Sequence, residues 1–138
     1  MKEKRSYTGV TYDVVMEVSK RIETIKYLFI EAQEYLAKGD AIQSSEKIYK
    51  AAEECIKALS EHYNLPEVKE AEEKGRWTVT LLEKAVRKLS DKISIDVQIG
   101  WDAANYLHVF GFHEAKLEVE NVKARIPLIK RLIELIIR

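Results

Sequence analysis

Residues 15–63, VMEVSKRIETIKYLFIEAQEYLAKGDAIQSSEKIYKAAEECIKALSEHY, decide the fold. In the first half of this stretch Val15, Val18, Ile22, Ile25, Phe29, Ala32 and Leu36 recur at steps of three and four. That spacing lines apolar side chains along one face of an α-helix, and predicts a helix from about Tyr12 to Lys38. Gly39 then offers the left-handed backbone that ends helices, and the Asp40 carboxylate can accept from the free amides that begin the next one. In the second half Ser45, Ile48, Ala52, Cys55 or Ile56, Leu59 and Tyr63 keep the rhythm, predicting a second helix from Ala41 to His62 or Tyr63, folded back on the first. Its small residues Ser45, Ala51, Ala52 and Ala58 imply a neighbour at close range.

Beyond this pair, Asn64-Leu65-Pro66 should stop the second helix, because the residue before a proline is disfavoured in the helical region. Pro66 can open a short charged helix, PEVKEAEEK, that Gly75 closes. A further helix begins near Trp77 or Thr78, with Thr78 the better cap than a Thr80–Glu83 box, and carries Val79, Leu82, Val86, Leu89 and Ile93 inward. The next starts after Ser94 with Ile95, Ile99, Ala103, Tyr106 and Phe110, and Gly111 interrupts it. The last runs from about Glu114 to Arg138 with Val122, Ile126, Ile129, Ile133 and Ile136 in one line and Leu128, Leu132 and Leu135 beside it. Pro127 removes a backbone donor there, so a kink or restart is expected. From Ile126 to Ile137 the helix is too apolar to pack on one side only, which predicts either a central place in the bundle or a homodimer interface.

The expected fold is therefore all-α, a single domain over residues 1–138, an up-and-down antiparallel bundle of about five helices with residues 1–11 as a loose N-terminal arm. One helix-turn-helix of tetratricopeptide character stands alone, so no solenoid is expected. The chain has 138 residues, 46% of them hydrophobic, enough for one core without disulfides. Lys plus Arg and Asp plus Glu both number 23, which argues against a protein built chiefly to sit on phosphate backbones. The single cysteine, Cys55, implies no internal disulfide, and MKEKRSYTGVTYD has no apolar core of a secretory signal. A cytoplasmic protein without membrane association is expected. The Lys and Glu share is high beside few Asn, Gln and Met, the hyperthermophile bias. No phosphate-cradling glycine loop, GxSxG elbow, CxxC pair or HExxH occurs, which excludes the enzyme classes that are easily read from sequence.

The candidate site residues lie late in the chain. Trp101, Asn105 and His108 share one helical face at spacings of four and three. They either line a pocket that stacks a base and bonds its edge, or consist of a core tryptophan and a solvated amide. His108 and His113 are the candidates for proton transfer. Five residues apart on an unbroken α-helix they would point about 140° apart; Gly111 can reorient His113, but with no second ligand cluster no metal site is expected, nor a cofactor. His108 then reads as a hydrogen-bonded core histidine and His113 as decoration of a turn. Glu46, Lys50 and Glu53 or Glu54 read as a solvated ion-pair face, Tyr49 as a buried ring with its hydroxyl at the rim, and Trp77 as a pin for its loop.

Several runs together carry a resemblance: Lys38-Gly39-Asp40, then Gln43-Ser44-Ser45-Glu46-Lys47, Tyr49 and Ala51-Ala52; Gly75-Arg76-Trp77-Thr78; and Leu107-His108-Val109 with Gly111-Phe112 and Glu114. In these the chain resembles the archaeal PaREP family of helical proteins from about residue 12 onward. That family is similar in turn to the HEPN class of helical bundles. The resemblance implies a homodimer, formed here through the C-terminal helix, and a nucleotide, RNA or nucleotidyltransferase partner. It also implies two versions of function: a nucleotide- or RNA-binding or partner-docking module without catalysis, or a metal-independent endoribonuclease using His108 or His113. The ribonuclease members carry an Arg, four to six other residues, then a His, and here no Arg lies between Arg87 and Arg125. A purely structural dimerisation or adaptor domain is the third expectation.

Overall fold

The computed structural model describes residues 14–137, and the expected arm at residues 1–11 lies outside them. Along these residues run α1 (Val18–Ala37), α2 (Ala41–His62), α3 (Pro66–Lys74), α4 (Val79–Lys92), α5 (Asp96–Tyr106), a π-helical segment (Leu107–His113) and α6 (Val119–Ile133), with no strand among the described residues. The punctuation follows from local chemistry. Gly39 and Gly75 end α1 and α3 with φ of +81° and +79°, where a β-carbon would be strained. Asp40 accepts from the Gln43 amide at 2.9 Å, and Thr78 accepts from the Leu81 amide at 3.2 Å. Ser94 accepts from the Asp96 amide at 3.0 Å, which fixes the start of α5.

α2 is the axis of the bundle and touches every other element. From Ala51 to Ser60 only Glu53 and Glu54 escape full burial. Its small residues allow this, and the Ser44 hydroxyl donates to the Ala32 carbonyl of α1 at 2.9 Å. α6 packs on α1, α2 and α5 and buries Val122, Ile126, Ile129, Leu132 and Ile133, while Leu128 and, beyond the helix, Leu135, Ile136 and Ile137 are only partly buried. α6 also begins later than expected, at Val119, where Glu118 and Asn121 form a reciprocal capping box. The helix continues through Pro127 without a restart.

The predicted inner face of α4 holds at Leu82, Val86 and Leu89 and fails only at Val79, whereas that of α5 is out of phase. Val79 and Ile95 are exposed by 72% and 62%, and Val15 and Ile99 also face water. On α4 Val79, the first residue of the helix, is exposed, while Leu81, Leu82, Ala85, Val86 and Leu89 are buried. On α5 the buried line is Val97, Gly100, Trp101 and Ala104, running on to Leu107. Gly100 sets that phase, because a β-carbon there would sit 2.6 Å from Cβ of Leu132, so only glycine lets α5 approach α6 so closely. Tyr106 and Phe110, predicted inside, are both exposed by nearly two-fifths.

Candidate functional site at the π-helical segment

The distinctive local structure is the π segment. In a π-helix the backbone bonds run from residue i to i+5, and here the Glu114 amide donates to the Val109 carbonyl at 2.9 Å. Residues five apart are thereby brought to one side, which reverses the expectation for an α-helix. His108 and His113 converge, with their Nε2 atoms 3.1 Å apart. Gly111 makes this geometry accessible: a β-carbon there would fall 2.1 Å from the Ser45 hydroxyl oxygen, so the segment lies against α2 only because the position is bare. The chain leaves the segment through Ala115 at φ +52°, a left-handed conformation that costs a non-glycine residue on the order of 1 kcal/mol.

From α2, Glu46 reaches the other side of the His108 ring, its Oε1 lying 3.1 Å from Nδ1. The carboxylate can only accept, so this contact assigns the His108 proton to Nδ1 and leaves Nε2 with its lone pair toward His113. Lys50, at 3.9 Å from Glu46 Oε2, touches the same carboxylate from solvent. The Glu46–Lys50 pair was expected as part of a plain solvated face, and it also serves to hold an imidazole. Tyr49 lies flat against His108, with ring centroids 4.0 Å apart and planes 19° apart. The Phe112 ring is also nearly parallel to His108, with centroids 6.2 Å apart and planes 12° apart. His113 stands edge-on to both His108 and Phe112 and is exposed, while His108 is half-buried. Burial pushes the Tyr49 phenol well above its ordinary range, and the carboxylates of Glu53, Glu46 and Glu83 push it the same way, so the ring stays a neutral phenol.

The other predicted site residues have different places. Trp101 is 1% exposed and its indole N–H donates to Glu83 at 2.6 Å, so its face is packed in the core beside Tyr49. Asn105 donates back to the Trp101 carbonyl at 3.0 Å. Of the three residues expected to share a stripe, His108 is the one joined to His113. Glu46 escaped the sequence reading as a partner of His108 because the two lie 62 positions apart. Phe112 lies four residues after His108, on the same side of a helix, so that spacing was a signal for it; for His113 the signal was the glycine at 111. Trp77 is half-buried against Val14, Ala71 and Leu81 and pins its loop. Among the described residues no three His, Cys, Asp or Glu side chains are arranged to hold a metal ion, and no helix is long and apolar enough to cross a membrane.

The molecule is thus an antiparallel helical bundle that presents a carboxylate-held histidine pair on a π-helical turn. The chain belongs to the archaeal PaREP1/PaREP8 family, whose sequence pattern matches residues 20–133. It is similar to a Sulfolobus solfataricus protein, NESG target SsR10, known as a crystal structure: 37% identity, a TM-score of 0.76, and coverage of 83% of this chain and 93% of that one. It is likewise similar to the solution structure of target SsR10, described as the Orf c02003 protein, at 38% identity and a TM-score of 0.73, covering 83% of this chain and 88% of that one. No curated protein matches the chain.

Proposed function

We propose that the protein is a HEPN-like module that binds a nucleotide or short RNA at the π-helical face without catalysis, as a cytoplasmic homodimer joined through α6. The observation that carries this reading is the column of rings running outward from the core: Trp101, Tyr49, His108 and Phe112, with the exposed His113 at its edge. Stacked rings beside an imidazole offer a base a flat partner and a phosphate or base edge a hydrogen-bonding nitrogen. The dimer is supported by an apolar groove of about 360 Å³ between α1 and α6, lined by Phe29, Ile30, Ile133 and Ile137 and edged by Lys26, Lys130 and Glu134. Leftover apolar surface on a helix of this kind favours a second protein surface over water.

Titration of nucleoside phosphates and short single-stranded RNA in EDTA tests the site. Saturable binding is expected, weakened about 5- to 150-fold in Phe112→Ala and His113→Ala, since stacking on one ring is worth about 1–3 kcal/mol. Absence of binding by the wild-type chain removes the reading. Sedimentation should show a dimer that Ile133→Glu converts to monomer.

The run Glu46–His108–His113 favours a second reading, because a carboxylate-oriented imidazole touching another imidazole is the material of proton transfer. Arg125, which could neutralise a phosphate, instead lies over the Tyr106 ring at 3.9 Å and donates to the Asn121 carbonyl. RNA cleavage in EDTA above that of a His108→Ala, His113→Ala control would move the function to a metal-independent endoribonuclease.

A further inference from the structure

We infer that His108 and His113 together chelate one divalent ion of the late transition series, through their two Nε2 atoms. The inference starts from the distance between those atoms, 3.1 Å. Two imidazole nitrogens each about 2.0–2.1 Å from one metal ion are about 2.9 Å apart when they subtend a right angle and about 3.4 Å apart at the tetrahedral angle. The observed separation lies inside that interval. The same distance suits a proton shared between the rings, and a metal ion would take that proton's place. His113 is exposed, so its ring can shift its proton to Nδ1 and turn the freed Nε2 lone pair toward a common point without disturbing the core.

A second, independent observation concerns the far side of the ring. Histidines that bind metal characteristically donate their other N–H to a carboxylate, which fixes the tautomer and makes the free nitrogen more basic. Glu46 stands in that position, 3.1 Å from His108 Nδ1. Tyr49 flat against the same ring further restricts its rotation. The ligand that approaches the metal is therefore oriented before any ion arrives. Two protein nitrogens leave the remaining coordination positions to water or to an anion. Imidazole ligands favour Cu²⁺, Ni²⁺ and Zn²⁺ over Mg²⁺ or Ca²⁺, with Cu²⁺ the tightest of the series.

This site does not depend on the nucleotide-binding reading, because it is measured with no nucleotide present, whereas that reading is measured in EDTA. The experiment is calorimetric titration of the full chain, stripped of metal, with CuCl₂, NiCl₂, ZnCl₂ and MgCl₂. The expected result is one ion per protomer for the first three, Cu²⁺ tightest, and no binding of Mg²⁺. Losing either ring turns a chelate into a single ligand, so His108→Ala and His113→Ala should each weaken binding on the order of 100-fold. Glu46→Ala should weaken it about 10–100-fold. His62→Ala, which removes the chain's remaining histidine, should leave it unchanged. Circular dichroism of each variant confirms the fold, and His113→Ala, altered at an exposed position, keeps the test decisive should the others lose structure. No stoichiometric binding by the wild-type chain, or binding that His113→Ala leaves intact, overturns the inference.

Discussion

Helix α2 holds two polar clusters of opposite construction. Toward its C-terminal end Glu54 and Glu61 close on Arg21 of α1, with Nη1 bonded to Glu54 at 2.7 Å and Nε bonded to Glu61 at 2.9 Å. A further Nη2 bond reaches the Val14 carbonyl at 3.0 Å, and the guanidinium is sealed at 0% exposure. Near its N-terminal end Glu46 holds His108, which meets the exposed His113. Both clusters use glutamates of one helix. In the first the carboxylates are matched against a charge that water never reaches, so the arrangement serves the fold. In the second the carboxylate positions a ring whose opposite nitrogen points to the surface, so the arrangement has something left to offer a ligand.

The sharpest way to break this contrast is to open the closed cluster. Arg21→Met would leave the largely buried Glu61 without its cation, while Glu54 keeps Lys57 at 3.4 Å. Removing one member of a buried ion pair strands its partner in low dielectric and costs about 3–5 kcal/mol. Urea unfolding should show that loss, and Glu61→Leu added to Arg21→Met should recover part of it, since an apolar pair strands no charge. A loss below about 1 kcal/mol would mean that the cluster is not structural after all.

The next test displaces the open cluster as a body. In Gly111→Ala the new methyl meets Ser45 of α2 at both its Oγ and its Cβ. Overpacking of this kind costs about 1–3 kcal/mol, and relief by moving the π segment outward would part His108 from Glu46. The histidine ring signals in an NMR spectrum should shift, and Ser45→Gly in the same chain should restore them. Unmoved histidine signals with full stability would show that the segment does not need the bare position.

How much of this was legible in the sequence depends on whether the cause was local. The turn at Gly39-Asp40, the cap at Thr78, the proline start at Pro66 and the full span of α2 were all readable, because each is decided within four residues. The phase of α5 was misread because its buried line runs through Gly100 and Trp101. A glycine carries no hydrophobic weight, and its role is set by Leu132 on another helix. The histidine pair was misread for a related reason. A spacing of five means divergence on an α-helix and convergence on a π-helix, and the choice between them rests on the contact of Gly111 with Ser45, which is far away in the chain.

A milder test uses pH, on groups lying between the two clusters. Burial raises the Cys55 thiol, and burial with neighbouring carboxylates raises the Tyr49 phenol, above their ordinary values of 9.0 and 10.0. The folded chain therefore holds protons that the unfolded chain releases. Stability is complete below about pH 9 and falls as pH rises through 9 and 10, by up to about 1.4 kcal/mol per pH unit for each group. Thermal unfolding between pH 8 and 11 measures the slope, and Cys55→Ala should flatten its first part. A flat profile would place water beside α2 where none is expected.

The smallest expected effect discriminates best between the two clusters. His113 is exposed and its ring contacts are made at the surface, so His113→Ala should change stability by no more than about 0.5 kcal/mol, the range of ordinary surface substitutions. His108→Ala should cost more, about 1 kcal/mol, because it removes the ring stacked on Tyr49 and the partner of Glu46. That ordering separates a residue kept for the fold from one kept for what it touches outside. A large loss in His113→Ala, comparable with that of Arg21→Met, would make the pair a clamp that holds the π segment closed, and the two ends of α2 would then be doing the same job. A negligible loss, together with abolished ligand or metal binding, leaves the imidazole with no reason for its position except recognition.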